Sequence, residues 1–362
     1  MRARFASANF YINGENVYGK LAPFLKSIKY SDSLENEADT VEITLADATH
    51  NLLTEWKPAR GTEVFVELVK TSWNSRVWTE ELPEEILPLG VFETDEIVDS
   101  YPPSQCVIKL NSIPNRAKVR NVNKDKSWEQ VNLSKIARDI ANDAKLKLFY
   151  DTPDDPEIKR VEQSGESDLS LLKRICSNYG LNLKVSDGKL IIFDAEKYES
   201  KSPIFVLDWN VPIIKHFEGT ATINQIYKDA HISFKSNNVA DFLWGLFGGL
   251  DLFQGTSGVD LSKNFAGVSG GAADNVLNLN QKVNSEAEAK KIAKKKLREK
   301  NKEEMTVTLD LMGSFSFCAG NVFQLINHGV YSGNYLVDRS DHSLSTSGYE
   351  TKVSAHRCLQ SY

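Results

Sequence analysis

Residues 305–356 read MTVTLDLMGSFSFCAGNVFQLINHGVYSGNYLVDRSDHSLSTSGYETKVSAH, and the fold class follows from how this run alternates. Met305, Val307, Leu309 and Leu311 are separated by Thr306, Thr308 and Asp310. Successive strand side chains point to opposite faces, so one face of this stretch is apolar and the other polar, the pattern of a half-buried strand. Gly313 breaks the strand, a short run with Phe315 and Phe317 follows, and Ala319-Gly320 turns into the alternating Asn321 to Leu325. Gly329 and then Ser332-Gly333 lead to Tyr335, Val337 and the polar segment Asp338 to His342; Gly348 leads to Tyr349, Thr351, Val353 and Ala355. Short strands with a glycine at nearly every join predict a small closed or nearly closed antiparallel sheet.

The same cadence occurs near the N-terminus. Asp39 to Leu45 (DTVEITL) alternates, Arg60-Gly61-Thr62 is a turn, Glu63 to Leu68 alternates again, and Leu89-Gly90 leads Phe92, Thr94, Asp95 and Ile97. Gly61-Thr-Glu-Val-Phe-Val matches Gly320-Asn-Val-Phe-Gln-Leu, and Gly90-Val-Phe-Glu-Thr-Asp matches Gly333-Asn-Tyr-Leu-Val-Asp. These correspondences predict two copies of one β-barrel unit in a single chain, a duplication too long in period to be a solenoid. The expected fold is mainly β (α+β): two similar antiparallel β-barrels, an inserted small α/β module, and an inserted glycine-rich loop plus helix.

Residues 1–116 make the first barrel in this reading. Its loop from Ser72 to Leu87 carries Trp73, Trp78 and the glutamates Glu80, Glu81, Glu84 and Glu85 around Pro83. Paired carboxylates serve glycoside hydrolysis, but four glutamates beside a proline read as a solvated loop, with no second polar cluster to complete a site. Residues 117–200 form the α/β module. Asn132 is a candidate N-cap for a helix with Leu133, Ile136, Ala137, Ile140, Ala141 and Ala144 on one face. A second helix runs from Ser167 to a C-capping Gly180, and Leu181 to Phe193 folds back at Ser186-Asp187-Gly188 as a hairpin. The acidic run Asp151 to Glu157 lacks the alternation and central glycine of a calcium loop.

Residues 201–362 make the second barrel, with Trp209, Ile213, Ile214, Phe217, Ile223, Ile226, Tyr227 and the strand His231 to Phe234, interrupted by an insertion at about 237–302. Phe242, Leu243, Leu246, Phe247, Leu250 and Phe253 share one helical face within it and are interface candidates, since an apolar face of this kind needs a partner. The insertion ends in a basic run from Lys290 to Lys302. Ser285 and Glu288 form a capping box, the acids stand at the positive end of the dipole and the lysines at the negative end, so a capped surface helix with a solvated basic face is expected.

Three hundred and sixty-two residues suffice for two or three domains without disulfides. Cys106, Cys176, Cys318 and Cys358 show no CxxC spacing and read as buried free thiols of a reducing compartment. The opening MRARFASANFYINGENVYG has no apolar core of signal-peptide length, and no stretch predicts a membrane anchor, which places the chain in the cytosol unless it leaves as part of a larger object. A net charge of −6 argues against nucleic-acid specificity. Neither a GxxxxGK[ST] loop nor a strand-GxGxxG-helix unit is read, no HExxH pair occurs, and no GxSxG elbow is assigned. No catalytic residue, cofactor or metal ligand is assigned, and His342, which follows Asp338 and Asp341, reads as a surface or turn hydrogen-bonder.

The order of these parts, with Phe24-x-x-x-Ile28-x-Tyr30-x-Asp32, Asp39-x-Val41-x-Ile43-x-Leu45-x-Asp47, Gly61-Thr62, Ser167-Asp168-Leu169-x-Leu171-Leu172, Tyr179-Gly180-Leu181, Gly320 to His342 and Gly348-Tyr349-x-Thr351, resembles the phage late control protein D group. These are baseplate or tail hub proteins of contractile tails, related to the N-terminal half of type VI secretion spike proteins. The resemblance covers nearly the whole chain. It implies a structural, non-enzymatic virion or prophage-particle component, assembled in the host bacterial cytoplasm. Three copies of two barrels would form a ring of near six-fold symmetry between a hexameric tail tube and a trimeric spike. Because the chain ends soon after the second barrel, a separate spike protein is implied, besides other baseplate partners. The alternatives are a tail-associated peptidoglycan hydrolase using the 72–87 glutamates, or a glycan-binding β module using Trp73 and Trp78.

Overall fold

The computed structural model describes residues 5–35, 37–47, 59–71, 84–114, 119–120, 122–223, 226–235, 256–262, 276–279 and 286–359. The chain opens with β1 (Phe5–Ile12), β2 (Glu15–Asn16), a helical turn α1 (Tyr18–Leu21), β3 (Leu25–Ser33), β4 (Thr40–Ala46), β5 (Glu63–Thr71), β6 (Glu85–Ser100) and β7 (Gln105–Asn111). Alternation does what it predicts: in β4, Val41, Ile43 and Leu45 point inward while the residues between them face out. The strands pair in the order β3-β4-β7-β6-β5-β1. All six feed one core through residues such as Phe10, Ile28, Val41, Val66, Phe92 and Ile108, so the sheet is rolled around its own interior.

The next segment is the α/β module: β8 (Asn123–Asn132), α2 (Leu133–Ala144), β9 (Lys147–Asp151), β10 (Glu157–Ser167), α3 (Asp168–Asn178), β11 (Asn182–Ser186), β12 (Lys189–Phe193) and α4 (Ala195–Glu199). Both expected helices bury the expected stripes. The Ser167 hydroxyl caps α3 by accepting from Ser170 N. Asn132 stands at the start of α2 without a side-chain cap bond; the Asp155 carboxylate takes that role, accepting from Ser134 N at 2.9 Å. The hairpin β11–β12 is present, and β9 adds to it in parallel. The paired strands β8 and β10 were not expected, because each carries mostly polar or charged residues around a few buried apolar ones, Trp128 in β8 and Ile158 and Val161 in β10.

Then come β13 (Phe205–Asp208), β14 (Ile214–Ala221), β15 (Asp229–Lys235), β16 (Thr256–Ser262), β17 (Val276–Leu279), helix α5 (Glu286–Asn301), β18 (Met305–Met312), β19 (Val322–Ile326), β20 (Gly333–Ser345) and β21 (Gly348–Arg357). Six of these strands repeat the first barrel in the order β14-β18-β21-β20-β19-β13. Taken along the chain, β1, β3, β4, β5, β6 and β7 correspond to β13, β14, β18, β19, β20 and β21, and the neighbour order is the same in both.

The repetition extends to single hydrogen bonds. Gly61 N donates to Thr94 O at 2.8 Å and Thr94 N to Thr62 O at 2.9 Å; Gly320 N donates to Val337 O and Val337 N to Asn321 O, both at 2.9 Å. Gly61 and Gly320 hold φ at +84° and +86°, where a side chain would be strained. The ladder between β6 and β7 slips by one residue at Asp95, and that between β20 and β21 at Asp338; β3 and β4 slip at Lys26, β14 and β18 at Lys215. Such bulges are specific local devices, and finding both at equivalent places identifies one unit used twice. The copies also differ: β1 runs antiparallel to β5, whereas β13 runs parallel to β19, and β15–β17 with α5 stand between β14 and β18 where β3 leads directly to β4.

The two barrels do not form separate sheets. β20 pairs with β3, Arg339 opposite Ser33 through Ser345 opposite Ser27, so one sheet runs through both. The β20–β21 hairpin also serves two cores: Tyr335, Val337, Val353 and Ala355 pack in the second, while Leu344 and Tyr349 at its tip pack in the first.

The insertion departs from expectation in two ways. The strand His231 to Phe234, expected in the second barrel, belongs to a separate sheet in which β15 pairs with β16 and β17, packed through Ala230 and Ile232 on Ala289, Ile292, Ala293 and Leu297 of α5. The basic helix is solvated on one side only: Lys290, Lys291 and Lys300 are exposed, but Lys295 and Arg298 are buried. Phe242, Leu243, Leu246, Phe247, Leu250 and Phe253 lie outside the described residues, as do Trp73, Trp78, Glu80 and Glu81.

Candidate assembly interface

The polar residues of the β20 segment Asp338 to His342 are where the bodies of the molecule meet. Lys184 of β11 reaches Asp32 at 2.7 Å and Asp39 at 3.0 Å, all three side chains largely buried. Asp32 also accepts from Ala319 N at 2.8 Å, and Asp39 from the Ser186 hydroxyl at 2.6 Å. One buried ion cluster therefore ties the α/β module, the first barrel and a corner of the second together. Burial lifts the Asp39 carboxyl to about 6 against the pull of Lys184. Alongside, the Ser31 hydroxyl donates to Asp341 at 2.5 Å across the β3–β20 joint.

His342 is not on the surface as expected. It is fully buried, its Nε2 lies 2.7 Å from the Ser340 hydroxyl and its Nδ1 2.7 Å from the Tyr349 hydroxyl, and its ring stacks on Tyr30 and Tyr349. Burial pushes its pKa down to about 4, so it is neutral. A serine beside a histidine is the start of a nucleophilic site, but here both are sealed from solvent and the second ring nitrogen meets a phenol instead of a carboxylate. The pair fastens two barrels.

Helix α5 is clamped by acids of the module. Lys295 meets Asp154 at 2.6 Å and Asp194 at 2.8 Å, Lys291 meets Asp154 at 2.7 Å, and Lys294 meets Glu196 at 2.8 Å. The acidic run that resembles a metal loop in composition is thus a docking strip for lysines. Arg298 pairs with Glu199 at 2.7 Å, both buried, and Glu199 also accepts from Leu359 N. Beside them His356 contacts Asp338 at 2.7 Å; burial opposes its charge, but Asp338 and Glu199 outweigh it and raise its pKa to about 9. The sequence signal for this clamp was the excess of lysine on one helix and of acid on one linker, which does not say that they meet.

The outward side of the molecule is different. β14 stands at the end of the sheet, and among the described residues no strand pairs with its outer edge. Ile204, Val206, Trp209 and Ile223, around β13 and β14, are about half exposed or more, Trp209 by 66% and Ile223 by 68%. In β6 only Glu85–Glu93 pairs with β5, while its second half pairs with β7 alone, leaving Val98 partly exposed. Unpaired edges bordered by apolar side chains are unstable in solution unless something covers them. Glu85, from the glutamate group weighed for hydrolysis, is spent on an ion pair with Lys70 at 2.9 Å. Cys106 and Cys176 are buried free thiols as expected, while Cys318 and Cys358 are only partly covered.

No family model matches the chain. In sequence it is similar to a protein described as "Probable baseplate hub protein" of Escherichia phage 186, 25% identical over 185 residues, a match spanning 51% of this chain and 44% of that protein. In structure it is similar to the 43 kDa tail protein of prophage MuSo2 from Shewanella oneidensis, with a TM-score of 0.68 at 16% identity over 98% of both chains. It is also similar to an Escherichia coli component of the type VI secretion system, with a TM-score of 0.54 at 10% identity over 94% of this chain and 75% of that one. The resemblance read from the residues is borne out: the chain is related in sequence to phage baseplate hub proteins and shares its mainly antiparallel fold with phage tail and type VI secretion proteins.

Proposed function

We propose that this chain, as a relative of baseplate hub proteins, is the structural hub of a phage tail or tail-like injection particle. Three copies close into a ring that receives a hexameric tail tube on one face and a separate trimeric spike on the other, with other baseplate proteins around it. The observation that carries the reading is the duplication, repeated down to equivalent bulges and corner hydrogen bonds. Cyclic assemblies match interfaces when their symmetries agree. Two equivalent barrels in each of three chains present six similar units, which suits a hexameric neighbour, while the chain itself keeps the three-fold symmetry a trimeric spike needs.

The role is architectural rather than enzymatic. The polar groups with catalytic potential, Ser340 and His342, are buried in the barrel joint, and Glu85 is held by Lys70. The site of action is the virion or the particle, reached after assembly in the bacterial host. Light scattering over a concentration series, followed by electron-microscopic class averages, tests this. A species of three times the monomer mass with a central hole is expected, with interfaces of roughly 2,000 Å² or more per pair. A chain that stays monomeric alone and with tube and spike proteins would sink the reading.

A further inference from the structure

The equivalence of the two barrels supports a more specific statement about how copies join, and it rests on the ring reading above. Inside the chain, the second half of β20 pairs with the outer edge of β3. The counterpart of β20 in the first barrel is β6, and the counterpart of β3 in the second is β14. The corner glycines and bulges set the correspondence: Val337 and Arg339 match Thr94 and Glu96, and Leu25 and Ser27 match Ile214 and His216.

The same edges fare oppositely in the two places. At the internal joint Ile28, Tyr30, Ser31, Asp32, Ser340 and His342 are all buried. Their counterparts on the outer edges are not: Asp99, Thr220 and Ala221 are exposed, and Ile97, Phe217 and Gly219 are only half-buried. Among the described residues neither edge has a partner strand. The molecule thus carries one joint made within the chain and the two halves of the same joint left open at its ends.

We infer that the second half of β6 pairs antiparallel with the outer edge of β14 of a second copy of this chain, in the register of the internal joint. Asp341 opposite Ser31 becomes Val98 opposite Thr220 of the neighbour. On either side Ile97 stands opposite Ala221, and Ser100 opposite Glu218. The contact is heterologous, since β6 of one copy meets β14 of the next, and repetition closes a ring where the rotation permits. It carries the sheet from chain to chain as the β3–β20 ladder carries it from barrel to barrel, and it removes both exposed edges at once.

Cysteine pairs in the full-length chain test the register, because directly opposed residues hold their Cβ atoms about 4.5–5.5 Å apart. Val98→Cys combined with Thr220→Cys, under mild oxidation, is expected to convert the monomer band on a non-reducing gel to a ladder ending at the mass of the assembled ring, reversed by reductant. Ser100→Cys with Glu218→Cys repeats the test at a second exposed pair. The slipped pair Ile97→Cys with Thr220→Cys points its thiols to opposite faces and is expected to give at least tenfold less product, and each single variant is expected to match the wild type. Assembly by light scattering without a ladder from either opposed pair overturns the inference and leaves the ring reading standing. A dimer from Val98→Cys alone means β6 meets β6, and also overturns it. A ladder without an end mass supports the strand pairing and sinks the closed ring. A chain that neither assembles nor cross-links sinks both.

Discussion

His342 and His356 lie in the paired strands β20 and β21, and their surroundings drive them in opposite directions. His342, at about 4 in the folded chain, stays neutral where an unfolded histidine near 6.5 takes up a proton, so its contribution is complete above pH 6.5 and is lost as pH falls toward 4. His356, at about 9, holds a proton that the unfolded chain gives up, so its contribution is complete below pH 6.5 and is lost as pH rises toward 9. Each limb is worth roughly 3 kcal/mol by linkage. Urea midpoints from pH 4 to 9 are read as the difference from wild type, which cancels the opposite acid-side slope of Asp39 with its folded pKa of about 6. His342→Gln is expected to remove a stability loss growing as pH falls below about 6.5, and His356→Gln one growing as pH rises above it. An unchanged profile in either variant would refute its assignment. Arg298→Met leaves buried Glu199 with only His356, at 3.7 Å, as a cationic neighbour and is expected to cost about 3 kcal/mol. Denaturant titration reads that loss, and a cost below about 1 kcal/mol would mean the pair is solvated.

Helix α5 is held less by its modest apolar stripe than by how closely it approaches the module. Gly180 follows α3 at φ +61°, and a Cβ there would come 2.4 Å from the Lys295 Cβ. Gly180 is thus both the helix stop that its position predicts and the point of contact for another helix. Gly180→Ala is expected to lose more than about 2 kcal/mol, the left-handed strain and the clash together. The exchange protection of amides in 286–301 should fall far more than that of the barrel strands. Equal loss everywhere would show that the helix is not a separately docked element.

For the molecule as a whole, the shared hairpin decides how the barrels fold. Residues 1–116 include all six strands of the first barrel but lack Leu344 and Tyr349 from its core and the β20 edge that covers β3. A 1–116 fragment is therefore expected to show no cooperative thermal transition, whereas the full chain unfolds both barrels together. Circular dichroism of the two, with amide NMR dispersion of the fragment, checks this. A fragment that melts cooperatively would show that the barrel is autonomous.

Much of this molecule is local and can be read from the residues. The alternation at 305–311 and 39–45, the turns at Gly61 and Gly320, the stripes of α2 and α3 and the duplication itself depend on side-chain period and backbone conformation, which neighbouring residues set. Strands β8 and β10 escaped because polar or charged strands that bury only a few apolar residues leave little period-two signal. The pairing of β20 with β3, the burial of Ser340 and His342, the removal of β15 from the barrel and the docking of the basic α5 on Asp154, Asp194 and Glu199 were decided by tertiary structure alone. A polar face in sequence says that a surface is not oily. Whether it meets water or a complementary polar surface depends on which distant elements the fold brings opposite it, and for charged residues that choice separates a solvated helix from a buried clamp.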